Sequence, residues 1–180
     1  MSLLQKLIQG LPGHPSHPPL TDTTIGAFVL AAGVGVVGAL GGLGDTAGKT
    51  MWLAIVGGLI AAVPTALTGF ADWLTLEWGS PSWRTATLHS LSMVTSVALF
   101  AFAAWLQWSG WRDGDVTSGG LILTLVGTGA LLFGGWLGGK LVFVHGLRVL
   151  ESEQEENPIA AIPARESRSS EPLVTRGSTP

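Results

Sequence analysis

Residues 120–142 read GLILTLVGTGALLFGGWLGGKLV and run on into Phe143-Val144-His145-Gly146. This stretch decides the fold. Apart from Lys140 it carries no charge, and it matches the roughly 20 residues a helix needs to cross the hydrocarbon of a bilayer. Its far end, from Trp136 to Gly146, sets Lys140 and His145 where the helix meets its polar boundary. Ionisable groups in or beside a membrane are functional-site candidates.

Three further apolar segments precede it, at 24–43, 50–74 and 85–108, joined by short loops. Short connections make sequential helices antiparallel neighbours. The expected fold is all-α: an integral membrane four-helix up-down bundle at 20–150, with an interfacial amphipathic and Pro/His-rich segment at 1–19 and a disordered polar tail at 151–180. No convincing internal repeat is evident. Composition agrees, with 47% hydrophobic and only 12% charged residues, which excludes an ordinary soluble domain. The net charge of −3 belongs to the tail, where Glu151, Glu153, Glu155, Glu156, Glu166 and Glu171 outnumber Arg165, Arg168 and Arg176. A neutral membrane part offers no basic field for nucleic acid. Without cysteine there is no disulfide, no Cys-ligated zinc or iron–sulfur cluster, and no covalently attached haem.

The N-terminal segment carries Leu3, Leu4, Leu7 and Ile8 at helical spacing, suited to a membrane surface. Next, in His14-Pro15-Ser16-His17-Pro18-Pro19, the prolines favour polyproline II, which would place His14 and His17 on one face about 9 Å apart. Pro64 should kink the second segment, with Thr65 and Thr68 helping to satisfy the freed backbone. Gly38/Gly42, Gly134/Gly138 and Gly135/Gly139 allow close helix approach and could serve a homo-oligomer. Trp73, Trp78 and Trp83 mark one membrane boundary and Trp52, Trp105, Trp108 and Trp111 the other; Trp136 reads as packing or as a cofactor wall. Lys6, Arg84, Lys140 and Arg148 outweigh Lys49 and Arg112, which places both termini on the cytoplasmic side.

Helix directions bring His14, His17, Asp72, Arg84, His89, Lys140 and His145 to one end of the bundle. Thr85, His89, Ser92 and Ser96 form a polar stripe that should face the bundle interior. Asp72 suits an imidazole partner or a salt bridge to Arg84. Imidazoles on facing helices serve as axial ligands of haem b, as ligands of a metal ion, or in proton exchange at a quinone. The plain alternative for each histidine is a hydrogen bond at a helix end.

The motifs GHPSHPPL, VPTALTGFADW, RTATLH and WLGGKLVFVHG, spread over 13–149, resemble a family of bacterial four-helix membrane proteins catalogued only as a domain of unknown function. The resemblance implies no enzymatic activity. Fusion of some similar proteins to Rieske domains implies a setting of membrane electron transfer. His14, His17, Asp72, His89 and His145 match the family pattern, whereas Lys140 replaces a usually acidic residue and Val144 a usually basic one. A protonated lysine cannot coordinate, so position 140 is a poor ligand.

The functional expectation is a redox-associated, non-enzymatic membrane protein that binds haem b or a divalent metal through His14, His17, His89 and His145. Asp72, Arg84 and Ser92 would support the site, and the partners would be the lipid bilayer and other membrane redox subunits. The alternative is a structural or assembly subunit of a larger membrane complex, without a cofactor. No interrupted helix pair marks a transporter, and no nucleophile with an ordered base marks a hydrolase.

Overall fold

The computed structural model describes residues 14–149, together with Ile8 and Gly10. Of the segment expected at 1–19 only Ile8, Gly10 and residues 14–19 are described, and the polar tail expected at 151–180 lies outside the described residues. Five α-helices follow in order: α1, His17–Ala39; α2, Ala47–Trp73, entered through a 3-10 turn at Gly44–Thr46; α3, Pro81–Leu106; α4, Trp108–Asp113; and α5, Ser118–Phe143. Four of them, α1, α2, α3 and α5, are long and apolar enough to cross a membrane. Large apolar side chains such as Leu53, Ile60, Leu132 and Phe133 lie exposed on their outer faces. That is the outward surface lipid requires, since the driving force for packing in a bilayer is not removal of apolar groups from water.

Helix ends follow local chemistry. α3 starts at Pro81 because Ser80 caps it, its hydroxyl accepting from the Trp83 N–H at 3.1 Å. Thr117 does the same for α5, accepting from the Gly120 N–H at 3.2 Å. α1 corrects the expected polyproline II stretch: the helix begins at His17, with proline in its opening positions. The first helical N–H groups have no intrahelical partner, so proline loses nothing there and its fixed φ favours the helix. α2 runs through Pro64 unbroken. The hydroxyls of Thr65 and Thr68 donate to the carbonyls of Ala61 at 2.8 Å and Pro64 at 3.0 Å.

α1 packs chiefly on α2, and α3 chiefly on α5, giving two hairpins that meet through the lesser contacts α2–α3 and α1–α5. α1 and α3 therefore stand diagonally across the bundle, as do α2 and α5. The core comprises Phe28, Ala31, Met51, Ile55, Phe100, Ala103 and Leu131. At its centre the rings of Phe28 and Phe100 stack with centroids 3.8 Å apart and planes 4° from parallel.

The two hairpins are repeats, which corrects the expectation of none. One constant interval separates His17 from His89, Thr24 from Ser96, Phe28 from Phe100 and Ala31 from Ala103. A second separates Gly58 from Gly127, Thr65 from Gly134 and Gly69 from Gly138. Equivalent residues make equivalent contacts: the Phe28 ring lies on Gly58 and the Phe100 ring on Gly127, with a Cβ there falling 2.5 and 3.2 Å from the ring. Both hairpins start at the same end of an up-down bundle. They are parallel repeats, related about an axis along the bundle.

Side-chain hydrogen bonds tie α3 to α5. His89 Nδ1 lies 2.8 Å from the Gly134 carbonyl, and the Ser92 and Ser96 hydroxyls donate to the Ala130 and Gly127 carbonyls, each at 2.8 Å. The expected polar stripe thus faces inward, as rungs on the neighbouring backbone. Among the glycine pairs, Gly38 faces Ala47, while Gly134 and Gly138 face Met93 and His89; Gly135 and Gly139 meet open space. The tryptophans form two groups, Trp73/Trp78/Trp83 and Trp52/Trp108/Trp111. Trp136 is exposed on the outer face beside Phe133, and neither packs the core nor walls a cavity.

Candidate functional site: a cavity between the hairpins

The repeats leave a gap at the histidine end. A cavity of about 620 Å³ lies between the hairpins, walled by all four long helices and almost wholly apolar. Its polar side chains are His17, Thr21, Thr24, Thr65, Asp72, His89 and Ser90, and Phe28 lies at its inner end. It borders the lipid-facing residues Val63, Leu67, Phe70 and Val94 of α2 and α3.

His17 and His89 face this space from diagonal helices, each with its tautomer fixed. His17 Nδ1 lies 3.0 Å from the Thr65 carbonyl and 3.1 Å from the Thr68 hydroxyl. A carbonyl only accepts, so Nδ1 carries the hydrogen and Nε2 keeps its lone pair in the neutral ring. Among the described residues the hydrogen-bonding neighbour of that nitrogen is the Thr21 hydroxyl at 3.5 Å, which already donates to the His17 carbonyl at 2.9 Å. His89 repeats the arrangement, donating Nδ1–H to Gly134 and leaving Nε2 unengaged among the described residues. Each ring also rests on a glycine of the other long helix of its hairpin. A Cβ at Gly69 would come 2.7 Å from the His17 ring, and one at Gly138 would come 3.2 Å from the His89 ring.

The other expected site residues lie elsewhere. His145 is not among the residues lining the cavity; its Nε2 lies 3.1 Å from the Thr85 hydroxyl, which donates to the Pro81 carbonyl at 3.0 Å. The hydroxyl proton is therefore used, and His145 donates from Nε2, the opposite tautomer from His17 and His89. His14 is exposed, just before α1. Ser92 is a rung to Ala130, and Lys140 is exposed on α5.

Asp72, expected to partner an imidazole or Arg84, pairs instead with Arg148. Its carboxylate, in a residue only 7% exposed, accepts from Arg148 Nε at 3.0 Å and again from Nη2. Arg84, in the first turn of α3, is exposed. The reason is the path beyond α5: Gly146 N–H and Leu147 N–H return to the Val142 and Leu141 carbonyls at 3.1 and 3.0 Å. This closing turn carries Arg148 over to the end of α2.

Sequence reasoning missed Gly69, Thr21 and the Phe28–Phe100 pair. The constant interval between the repeats could have found Gly69 and the Phe28–Phe100 pair, whereas Thr21, whose counterpart is Met93, is signalled only by its i+4 spacing from His17. Among the described residues no group of three or more His, Asp or Glu side chains could hold a metal ion.

The sequence profile of a family described as predicted membrane protein (DUF2231) matches residues 13–151. No curated protein and no solved structure matches the chain.

Proposed function

The chain belongs to the DUF2231 family of predicted membrane proteins, and from that premise we propose that it is a redox-associated membrane protein whose His17 and His89 would hold haem b between the hairpins. One observation carries the reading: two imidazoles on diagonal helices, related by the internal repeat, line one apolar cavity while their Nδ1–H groups go to backbone carbonyls, which leaves each neutral ring an Nε2 lone pair. A ligating histidine is oriented in this way by the hydrogen bond on its other nitrogen.

The donor set fits haem better than a bare ion. Haem needs only two axial groups from the protein, whereas a tetrahedral metal site takes three or four protein ligands. The apolar walls suit a macrocycle, and Phe28 bounds its inner side. When bound, haem b supplies one-electron transfer. The chain's own contribution is to fix ring orientation through Thr65 and Gly134, to seat the rings on Gly69 and Gly138, and to keep water out with apolar side chains. The reading pairs His89 with His17 rather than with His145 or His14. It keeps the bacterial inner membrane and cytoplasmic termini, supported by Arg84, Lys140 and Arg148 at the histidine end, and membrane redox subunits as partners.

The second reading is a structural subunit without a cofactor. It draws on His89, which is also a rung of the α3–α5 ladder and has work to do in an empty bundle.

Hemin titration of the detergent-purified protein, followed by absorption, separates the two. A saturable Soret band is expected for the native chain, lost in both His17→Ala and His89→Ala and kept in His14→Ala and His145→Ala. A folded native protein giving no such band, or loss confined to His145→Ala, would overturn the haem reading.

A further inference from the structure

We propose that the histidine end of the bundle opens and closes like a clamp, hinged at the opposite end and latched by the Arg148–Asp72 ion pair; as a gate for the cavity's ligand, this rests on the cavity being a ligand seat. Asp72 belongs to the first hairpin and Arg148 to the closing turn of the second, so their pair crosses from one hairpin to the other beside the cavity. It joins the ends of α2 and α5, diagonal helices that otherwise do not pack on each other.

The two ends of the bundle are fastened unequally. At the far end Gln107 of the second hairpin donates to the Gly48 carbonyl of the first at 3.4 Å, and Trp52 of the first packs on Trp108 and Trp111 of the second. There too the Gly48 N–H donates to Gly114 at 2.9 Å, and Trp52 donates to Ala104 at 3.0 Å. Phe28 and Phe100 stack midway. At the histidine end, the hydrogen bonds between the hairpins among the described residues are Trp73 to Thr87, at 3.0 Å, and the latch.

The latch can let go. The Arg148 side chain is 35% exposed, and its backbone has φ 62, a left-handed conformation unfavourable for a residue other than glycine. The ion pair holds this residue against its backbone preference. The cavity reaches the lipid-facing residues Val63, Leu67, Phe70 and Val94 of α2 and α3, and parting the hairpins at the latch widens that opening for a rigid ligand.

The absence of cysteine permits a direct test. Asp72→Cys and Arg148→Cys together, bridged by a short reducible bis-methanethiosulfonate reagent, lock the ends. The bridged protein should take up and release hemin roughly tenfold more slowly than the same protein after reduction, since only the open fraction exchanges. Asp72→Asn should exchange faster than the native chain. Equal rates in the bridged and reduced forms would overturn the gate.

A second arm needs no ligand. Spin labels on Leu74→Cys and Phe143→Cys should give a distance distribution that broadens when Asp72→Asn is added. An unchanged distribution overturns the latch, whatever the fate of the haem reading. Broadening in a chain that binds no hemin would support the clamp and refute haem alone.

Discussion

The imidazoles of His17 and His89 occupy equivalent places in two helical hairpins, each donating Nδ1–H to a carbonyl of the other long helix of its hairpin and resting on one of that helix's glycines. The seats differ in tightness. At Gly69 an added Cβ would come 2.7 Å from the His17 ring, and at Gly138 it would come 3.2 Å from the His89 ring. The first clash forces the ring off its carbonyl, while the second needs a shift of a few tenths of an ångström. Gly69→Ala should therefore cost about 1–3 kcal/mol, as overpacking does, and Gly138→Ala less. Unfolding in mixed micelles reads both. Equal losses, or a larger one at Gly138, would contradict the seat.

The ladder between α3 and α5 makes its own prediction. Ser96 is fully buried and donates to Gly127 at 2.8 Å. Polar bonds between membrane helices average about 0.6 kcal/mol and reach about 1.7, because the separated helices find other partners. Ser96→Ala should lose an amount in that range. Thr95, by contrast, is exposed and donates within its own helix to Leu91 at 2.9 Å, so Thr95→Ala should be near neutral. Thermal unfolding of the two variants in the same detergent compares them directly.

Some of this was legible in the sequence, for physical reasons. Four spans declare themselves because bilayer thickness fixes helix length, and the stripe through His89 and Ser96 declares itself because polar groups must turn from lipid. Less could be read at the ends. Prolines beside His17 fit both polyproline II and a helix start, and only tertiary contact with Thr65 and Gly69 decides. Asp72 has Arg84 nearby in sequence, yet the turn after α5 delivers Arg148, which no periodicity encodes. The repeat was hidden because apolar residues interchange freely against lipid. What survives is what contacts fix: His17 with His89, Phe28 with Phe100, and the glycines beneath them.

The far end should be the stability centre. Gln107 is fully buried and its amide serves both ways, donating to Asp115 and accepting from the Thr117 N–H and hydroxyl at 2.9 Å each. Gln107→Leu would strand the Asp115 carbonyl and the Thr117 N–H, and each stranded group costs about 1–3 kcal/mol. A loss of about 3 kcal/mol is expected, with hemin binding retained in the folded fraction because the cavity lies at the other end. Gly48→Ala should fold worse still: its Cβ would meet the Asp115 carbonyl oxygen at 2.1 Å, and backbone cannot yield as a side chain does. Yield of monodisperse protein after size exclusion would report the second variant.

Thr124 offers a prediction of opposite sign. Its residue is fully buried in α5, and its hydroxyl has no hydrogen-bond partner among the described residues. An unpaired buried hydroxyl is destabilising relative to an apolar group of the same shape, because the lost hydration is not repaid by another bond. Valine keeps the branched outline and removes the polar atom. Thr124→Val should therefore raise stability by about 1 kcal/mol, against the usual direction of core substitutions. Thr128 is the control, since its hydroxyl donates to the Thr124 carbonyl at 2.8 Å and Thr128→Val forfeits that bond. Destabilisation by Thr124→Val would mean that the hydroxyl finds a partner in the folded protein, and a bound water or ligand atom would then be the place to look.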